Sequence, residues 1–438
     1  MNNKKSIGFG SRGWILMVYV FIGYFVTCAI TNSVNLLAPM FAGTRGWNAT
    51  LITSTYTIGT VIACVLQLFL NKILLKKSAK WGSIIFGIAY VIVCAIMCAA
   101  QAPWQFVVLY SLGKIFCDFW IFTENGVLVG NWFPRRKGTV MGVVTFGFPL
   151  ASGIGMTIML QLFPYGWFMA FLPFLVLGVI GVILAIAFLS TSPFEKGAYP
   201  DNDKSMTQET VAKMQQMEKM AIETSPWKVK ELLKSKEFWC TVLPNSFLLF
   251  ASVGMMTQVT TIMVAADAAF AAKYLSIVMT CVSIAACLGS WIIGLIDTKV
   301  GTKRAMFVSC ILMIIAGVLM MTTNLVCVLI GIACMAFFMG AGSNFNVSAS
   351  MEFWGLPNFS SVFSLMSPVA NLISAFGPMV LAVIYAATGT YVIAFGLVVV
   401  MGIVGAILVL MIKKDNVTAK TEKMLAAKGG APNMNFPG

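Results

Sequence analysis

The sequence predicts an all-α integral membrane protein with twelve transmembrane helices in two pseudo-symmetric halves of six. Three observations support this fold class. Of the 438 residues, 59% are hydrophobic and only 10% are charged, whereas a soluble domain has about 25% charged residues. The apolar residues form twelve long runs, and one polar stretch divides the runs six and six. Each run is long enough to cross a bilayer, which takes about 20 helical residues.

The positions of the runs predict the domain organisation. The expected membrane spans are 14–40, 47–70, 81–100, 104–130, 138–161, 166–190, 238–264, 272–296, 304–322, 325–350, 358–386 and 389–412. Residues 1–190 then form an N-terminal half, and residues 238–412 form a C-terminal half. Between them lies a cytoplasmic linker with amphipathic helices over 191–237, and a cytoplasmic tail follows over 413–438.

The basic residues predict the orientation. All but three of the 29 Lys and Arg residues lie at the termini, in the linker or in loops that twelve crossings place on one side. The exceptions are Arg45 and Lys273 in loops on the other side and Lys114 inside a run. Cytoplasmic loops are enriched in Lys and Arg. We therefore expect a multi-pass protein of the cytoplasmic (plasma) membrane with both termini inside, and the net charge of +14 requires no nucleic-acid partner.

The fourth run contains the central candidate site. Lys114 and Asp118 are four residues apart and therefore share one face of a helix, with Tyr110 and Asn125 on the same stripe. Ionisable groups at this depth cost several kcal/mol unless they are paired or hydrated, so each is a candidate functional residue. Lys114 is predicted to contact substrate, with Tyr110 and Asn125, and Asp118 to carry a proton. The alternative is a structural ion pair that locks the helix.

The run ends in a basic turn, Arg135-Arg136-Lys137. Glu124 lies closer to this turn than Asp118 does. It is predicted either to take part in proton coupling or to neutralise Arg135 or Arg136 at a cytoplasmic gate.

The sequence excludes several other function classes. It has no GxxxxGK[ST] loop for ATP, so transport would be driven by an ion gradient, by exchange or by facilitated flux. It has no His and no nucleophile–base arrangement, and its 11 Cys lack metal-ligand spacing. We expect no enzyme activity and no cofactor. The expected partners are a small-molecule substrate, protons and membrane lipid, with the protein acting as a monomer.

The two halves also repeat features of each other. A basic loop at 294–304 follows the eighth run, a similar loop at 71–80 follows the second run, and Pro149 and Pro368 lie in corresponding runs. The chain resembles the major facilitator superfamily, whose loop signature GxxxDRxGxRR is similar to 294–304, with Lys303-Arg304 in place and Asp297 one residue before the acidic position. The resemblance implies the major facilitator fold. It also implies a gating role for Asp297, Lys303 and Arg304, alongside the basic turn.

The family resemblance also suggests substrate contacts in runs that line the cavity or flank it. The candidates are all Asn side chains within apolar runs: Asn32, Asn35, Asn245, Asn344 and Asn371. The alternative for each is a hydrogen bond that only joins neighbouring helices.

Within the superfamily, the chain is most similar to the oxalate/formate antiporter and monocarboxylate transporter branch, at residues 131–138, 231–239 and 352–359. The resemblance implies alternating access around a central site. Because Lys114 is the only central cation, we expect a monocarboxylate-like small or medium organic acid, moved with protons by symport. The alternative is a proton-coupled efflux pump for amphipathic or cationic drugs. A sensor that binds ligand without moving it also remains open.

Overall fold

The computed structural model describes residues 9–74, 79–213, 216, 220 and 225–426. Throughout this part of the chain the regular secondary structure is helical, and short turns join the helices. The expectation of an all-α protein is therefore confirmed.

Ten helices in the described part are long and apolar enough to cross a membrane. They become eleven if Leu325–Met339 and Asn344–Trp354, bent by 50° relative to each other, form one span. The fourth predicted span is also helical, but it is divided into Pro103–Asp118, Phe119–Glu124 and Asn125–Trp132. None of these three pieces alone is long enough to cross a bilayer. The helices fit a multi-pass membrane protein, and the count of twelve stays a prediction.

The first half of the sequence forms ten α-helices. Their bounds are α1 Gly10–Thr31, α2 Ser33–Arg45, α3 Ala49–Leu74, α4 Ala79–Met97, α5 Pro103–Asp118, α6 Asn125–Trp132, α7 Lys137–Val144, α8 Gly147–Leu150, α9 Met156–Leu162 and α10 Trp167–Phe188. Two π-helices interrupt the series, π1 at Phe119–Glu124 and π2 at Ala151–Gly155. Both lie inside predicted spans, the fourth and the fifth.

The second half follows the same pattern after the linker. Its helices are α11 Val229–Leu233, α12 Lys236–Met256, α13 Val259–Ala266, α14 Ala268–Val300, α15 Thr302–Met321, α16 Leu325–Trp354, α17 Phe359–Ala375, α18 Gly377–Thr388, α19 Val392–Met411 and α20 Lys414–Ala426. Within the predicted linker, residues 208–213 are also helical.

The chain divides into two compact units. The first holds the described residues up to Gln208 together with Met256–Cys287, and the second holds Glu209–Met255 and the described residues from Leu288 onward. The first division lies inside the predicted linker. The domain boundaries predicted from the sequence stay predictions.

One kind of close approach, of a glycine to the backbone of another helix, occurs in both units. A Cβ on Gly147 would lie 2.5 Å from the Phe21 carbonyl oxygen and 3.1 Å from the Phe25 amide nitrogen of α1. In the second unit, a Cβ on Gly377 would meet the Phe250 carbonyl oxygen and lie 3.2 Å from the Gly254 amide nitrogen of α12. Each glycine therefore meets a carbonyl and the amide four residues later.

These two contacts are an internal repeat with a separation of 230 residues (377 less 147). At nearly this separation, Pro149 corresponds to Pro378, the residue that follows Gly377. The sequence comparison that matched Pro149 with Pro368 therefore chose the wrong register. Pro368 lies one helix earlier, within α17.

Large apolar side chains point outward along the apolar helices. Ile183 and Phe188 on α10 are 56% and 52% exposed, and Ile407 and Leu410 on α19 are 53% and 59% exposed. Many exposed apolar side chains on one helix indicate contact with a partner or with lipid. On helices of this length it fits a lipid-facing surface.

Candidate functional site

Lys114 and Asp118 form an ion pair at the end of α5. The Lys114 Nζ donates a hydrogen bond to the Asp118 Oδ1 across one helical turn. The two side chains are only 5% and 7% exposed. The pair carries no net charge, and the attraction between its members offsets part of the cost of their burial.

The neighbouring helix α3 covers this pair. The Lys114 Nζ lies 5.4 Å from the centre of the Tyr56 ring, within the range of a cation–π contact. One turn further on, a Cβ on Gly59 would lie 2.9 Å from the Lys114 Cβ and 3.2 Å from the Ser111 Cα. The absence of a side chain at Gly59 therefore allows α3 to pack closely against the charged face of α5.

Ser111 supplies a further polar group on this face. Its side chain is buried, and its hydroxyl has no hydrogen-bond partner within the described part of the chain. Nearly all buried polar groups have partners, so one that lacks a partner requires an explanation. A hydroxyl one turn before Lys114 is suitably placed to contact a ligand that Lys114 holds.

Tyr110 makes a different contact from the one predicted. Its hydroxyl donates a hydrogen bond to the Ile30 carbonyl of α1. This bond ties α5 to the end of α1, next to the break at Asn32.

A π-helix begins directly after Asp118. A π-turn adds one residue relative to the α-helical register, which rotates the residues that follow by roughly 100°. The predicted stripe through Lys114 and Asn125 assumed an unbroken α-helix. Because the π-helix breaks the α-helical register, the stripe does not continue beyond Asp118. The side chains of Glu124 and Asn125 lie outside the described residues. Such π-turns are frequent at functional sites.

Asn32 contacts the fifth predicted span. It separates α1 from α2, and its Nδ2 donates to the Ser152 Oγ at 2.7 Å. Ser152 in turn donates to the Phe148 carbonyl at 3.0 Å. Because Ser152 belongs to π2, both interrupted spans of the first unit carry polar residues at or beside their π-helices.

Asn35 holds a segment from the second half of the sequence. Its Oδ1 accepts a hydrogen bond from the Thr260 amide at 2.8 Å, and its Nδ2 lies 3.8 Å from the Met279 sulfur. The fifth predicted span also contacts this segment, because the Thr157 hydroxyl donates a hydrogen bond to the Ser276 carbonyl at 3.3 Å. These contacts account for the inclusion of Met256–Cys287 in the first unit.

Replacing Asn35 with Ala is expected to destabilise the protein by about 1–3 kcal/mol, because the Thr260 amide loses its acceptor in a buried position. Asn35→Asp keeps an acceptor oxygen and should be milder. The matched control is Asn371→Ala, which changes an exposed Asn. Thermal unfolding in detergent measures the effect, and equal midpoints for Asn35→Ala and Asn371→Ala would contradict it.

The second unit contains three of the predicted Asn residues. Asn245 on α12 donates from Nδ2 to the Asn346 Oδ1 of α16 at 2.7 Å, and both side chains are buried. The Asn245 Oδ1 has no partner among the described residues. Asn344 and Asn371 have exposed side chains. Asn245 is therefore the buried member of the three, with a free acceptor.

The predicted gating loop is ordered by hydrogen bonds around Thr302. The Thr302 hydroxyl donates to the Asp297 Oδ1 at 2.6 Å, and the Thr302 amide donates to the Glu352 Oε2 at 2.6 Å. Gly301 has a φ of 98°, which disfavours any residue with a side chain. Asp297 and Glu352 thus hold the start of α15, where a negative charge is favourable.

The two basic residues of this loop behave differently. The Lys303 Nζ donates to the Leu410 and Ile412 carbonyls at 3.1 and 2.7 Å, and so caps the C-terminal end of α19. The Arg304 side chain is exposed. Lys303 therefore caps the end of a helix, and this position is compatible with the predicted gating role.

Glu352→Ala is expected to lower the free energy of unfolding by about 1–2 kcal/mol, because the first amide of α15 loses a charged acceptor. Glu352→Gln keeps an oxygen acceptor and should lose less. Arg304→Ala, a change at an exposed residue next to the loop, is the control. A denaturation midpoint for Glu352→Ala that equals the control value would rule out this role.

Two aspartates fix the basic turn. The Arg135 amide donates to the Asp201 Oδ2 at 3.0 Å, and the Arg135 Nη1 lies 3.3 Å from the Asp203 Oδ2. The Arg136 guanidinium lies 5.7 Å from the centre of the Phe9 ring. The turn is therefore anchored by the 200–203 segment of the linker.

The environments of the two aspartates shift their pKa values in opposite directions. Burial raises the pKa of Asp201, although the Arg135 amide hydrogen bond opposes this effect. The hydrogen bond from the Ser205 amide is the main cause that lowers the pKa of Asp203, with a smaller contribution from the charge of Arg135. Asp203 is therefore the better partner for the arginine side chain.

The sequence patterns did not reveal several partner residues. Ser152, Gly59 and Asn346 each lie against a predicted residue from a distant part of the chain. Glu352 holds the Thr302 amide within the predicted gating loop. Glu352 lies within 352–359, one of the stretches that resemble the oxalate/formate and monocarboxylate branch. That resemblance could have identified it as a candidate residue. The described residues contain no group of three or more His, Cys, Asp or Glu side chains that could hold a metal.

Comparison with known proteins identifies the family. The sequence matches the family described as Major Facilitator Superfamily over residues 20–351 and again over 247–432. No curated protein matches the chain in sequence. Its fold is similar to a mutant form of the nucleoside transporter NupG, with 14% identity, a TM-score of 0.67 and coverage of 91% of this chain and 99% of that one.

Two other solved structures have the same fold. One is the nucleoside transporter NupG itself, with 15% identity, a TM-score of 0.64 and coverage of 90% and 98%. The other is a POT family transporter in complex with 5-aminolevulinic acid, with 12% identity, a TM-score of 0.66 and coverage of 96% and 98%. The chain belongs to the major facilitator superfamily and is a secondary transporter rather than an enzyme.

Proposed function

We propose that this transporter moves a small or medium organic acid with one carboxylate across the cytoplasmic membrane, coupled to protons. Alternating access around a central site would carry the substrate. The oxalate/formate and monocarboxylate branch is part of this proposal. The observation that supports it best is the buried, neutral pair of Lys114 and Asp118 beside a π-helix.

The charge of this pair links proton and acid. A carboxylate that approached Lys114 alone would add one uncompensated negative charge to a buried region, which is costly. If Asp118 takes up a proton as the acid arrives, Lys114 is released to bind the carboxylate and the region stays neutral. One proton and one monocarboxylate would therefore bind together. The unpartnered Ser111 hydroxyl would donate to the same carboxylate.

The same pair argues against a cationic drug as substrate. Asp118 already has a cation, so a cationic substrate would have to displace Lys114 and leave its ammonium group buried without a partner. That cost is several kcal/mol. The relatives do not decide between substrates, because identities of 12–15% concern the fold alone. The POT family relative does hold an organic acid, 5-aminolevulinic acid, which is in line with the proposal.

The hydrogen bonds already made refine the other predicted contacts. Asn32, Asn35 and Tyr110 hold helices together within the first unit. Asn245 retains an unpartnered acceptor, and Asn344 and Asn371 are exposed. We therefore propose Lys114 and Ser111 as the first substrate contacts to test. Asn245, in the second unit, is a separate candidate. The roles of Glu124 and Asn125 stay predictions.

Uptake into proteoliposomes tests the proposal. With an inward proton gradient, we expect one or more labelled monocarboxylates to accumulate, and a protonophore to abolish the accumulation. A panel of nucleosides and cationic dyes should not accumulate. Lys273→Gln, which removes a cation from a predicted outer loop, is the control and should transport normally. Accumulation of a nucleoside or dye without any acid would reject the assignment.

A further inference from the structure

A cavity lies where the start of α1 meets the end of α10. Its volume is about 90 Å³, and its lining includes Arg12, Lys196, Trp132, Ile15 and Phe188. None of these residues belongs to the candidate transport site. The whole cavity lies within the first unit.

Two cations at the cavity have no anionic partner among the described residues. Arg12 lies in the first turn of α1, and Lys196 is the last residue of the 3-10 helix Pro193–Lys196. No described carboxylate forms an ion pair with either one. The neighbouring Glu195 instead accepts a hydrogen bond from the Ser192 amide at 3.2 Å. Two such cations around one opening are suited to a phosphate group.

The rest of the lining is apolar and connects to a lipid-facing surface. Phe188 is 52% exposed, and Trp14 and Val18, on α1 beside the cavity, are 53% and 49% exposed. The inner wall is fixed, because the buried Trp132 donates from Nε1 to the Ser190 carbonyl at 3.0 Å. A free phosphate would leave this apolar rim exposed to water, whereas acyl chains would cover it.

We infer that this cavity binds the headgroup of an anionic phospholipid, with its phosphate between Arg12 and Lys196 and its acyl chains along α1 and α10. Basic pockets between transmembrane helices bind anionic headgroups in this way. The site does not include the Lys114–Asp118 pair, so its test is independent of the test of the transport proposal.

The test is a titration of the purified, delipidated full-length protein in neutral detergent, followed by the thermal unfolding midpoint. The ligands are short-chain phosphatidylglycerol, short-chain phosphatidylcholine, glycerol 3-phosphate and inorganic phosphate. We expect saturable stabilisation by phosphatidylglycerol alone. Arg12→Gln and Lys196→Gln should each weaken its apparent affinity about fivefold, which corresponds to about 1 kcal/mol for each lost charge.

Further variants make the outcome decisive. Lys204→Gln removes an exposed loop lysine outside the cavity and should bind phosphatidylglycerol like the parent protein. Arg12→Lys and Lys196→Arg keep the charge and should keep most of the affinity. They show whether a loss of binding in the Gln variants comes from the lost charge or from misfolding. The inference is overturned if the double Gln variant binds phosphatidylglycerol normally or if phosphatidylcholine stabilises equally. It is also overturned if inorganic phosphate or glycerol 3-phosphate reproduces the effect.

Discussion

Asp118→Asn is expected to abolish proton-driven accumulation of the acid and to lower the free energy of unfolding by about 3–5 kcal/mol. The stability loss follows because Lys114 is left as a buried cation without its partner. Lys114→Ala should also abolish accumulation, since it removes the group that would hold the carboxylate. Flux in proteoliposomes and thermal unfolding in detergent are the two measurements.

A double variant separates transport from a purely structural role for the pair. Lys114→Met combined with Asp118→Leu removes both charges and fills the space with apolar groups, so the stability should return to near the parent value or above it. Accumulation should remain absent. If the double variant transports at the parent rate, the pair only locks the helix. Arg135→Gln is a control for stability alone, because the pair of Arg135 with Asp203 is largely exposed and is worth about 1 kcal/mol at most.

The second large effect is expected at the repeated glycine contacts. Gly147→Ala places a methyl group 2.5 Å from the Phe21 carbonyl oxygen, and Gly377→Ala places one against the Phe250 carbonyl. In both cases the obstacle is backbone of another helix, which cannot rotate away. Each variant should lose about 1–3 kcal/mol of stability, as for other overpacked interiors, or more. The unfolding midpoint and the yield of folded protein measure this loss.

Gly294→Ala is the matched control for these glycines. Gly294 lies within α14, and apart from its own helix backbone and chain neighbours no described atom lies within 4 Å of an added Cβ. Ala is the better helix former, so this variant should be neutral or stabilised by up to about 1 kcal/mol. If Gly147→Ala and Gly377→Ala behave like Gly294→Ala, the helices are not in contact at these points.

The predictions that came from local spacing agree best with the structure. The spacing of Lys114 and Asp118 placed both on one face, and they form an ion pair there. The helical fold and the superfamily also followed from long apolar runs and from the loop at 294–304. These features depend on residues that are close in sequence, which a helical period relates directly.

The features that were missed depend on distance in the chain or on irregular backbone. Nothing local to Asn35 indicates that it binds the Thr260 amide, 225 residues away. The π-helix after Asp118 could not be predicted, because an apolar run has the same composition in an α- and a π-helix. The repeat register was misjudged because a proline in each run is a weaker marker than a glycine at a helix crossing.

The coupling of proton to acid is the central claim, and its most direct test measures both fluxes at once. In proteoliposomes with a trapped pH indicator and the membrane potential clamped, acid uptake and internal acidification are recorded together. The account predicts one proton per monocarboxylate with no net current, and loss of both fluxes in Asp118→Asn. Acid uptake without acidification, or uptake that carries net charge, would contradict it.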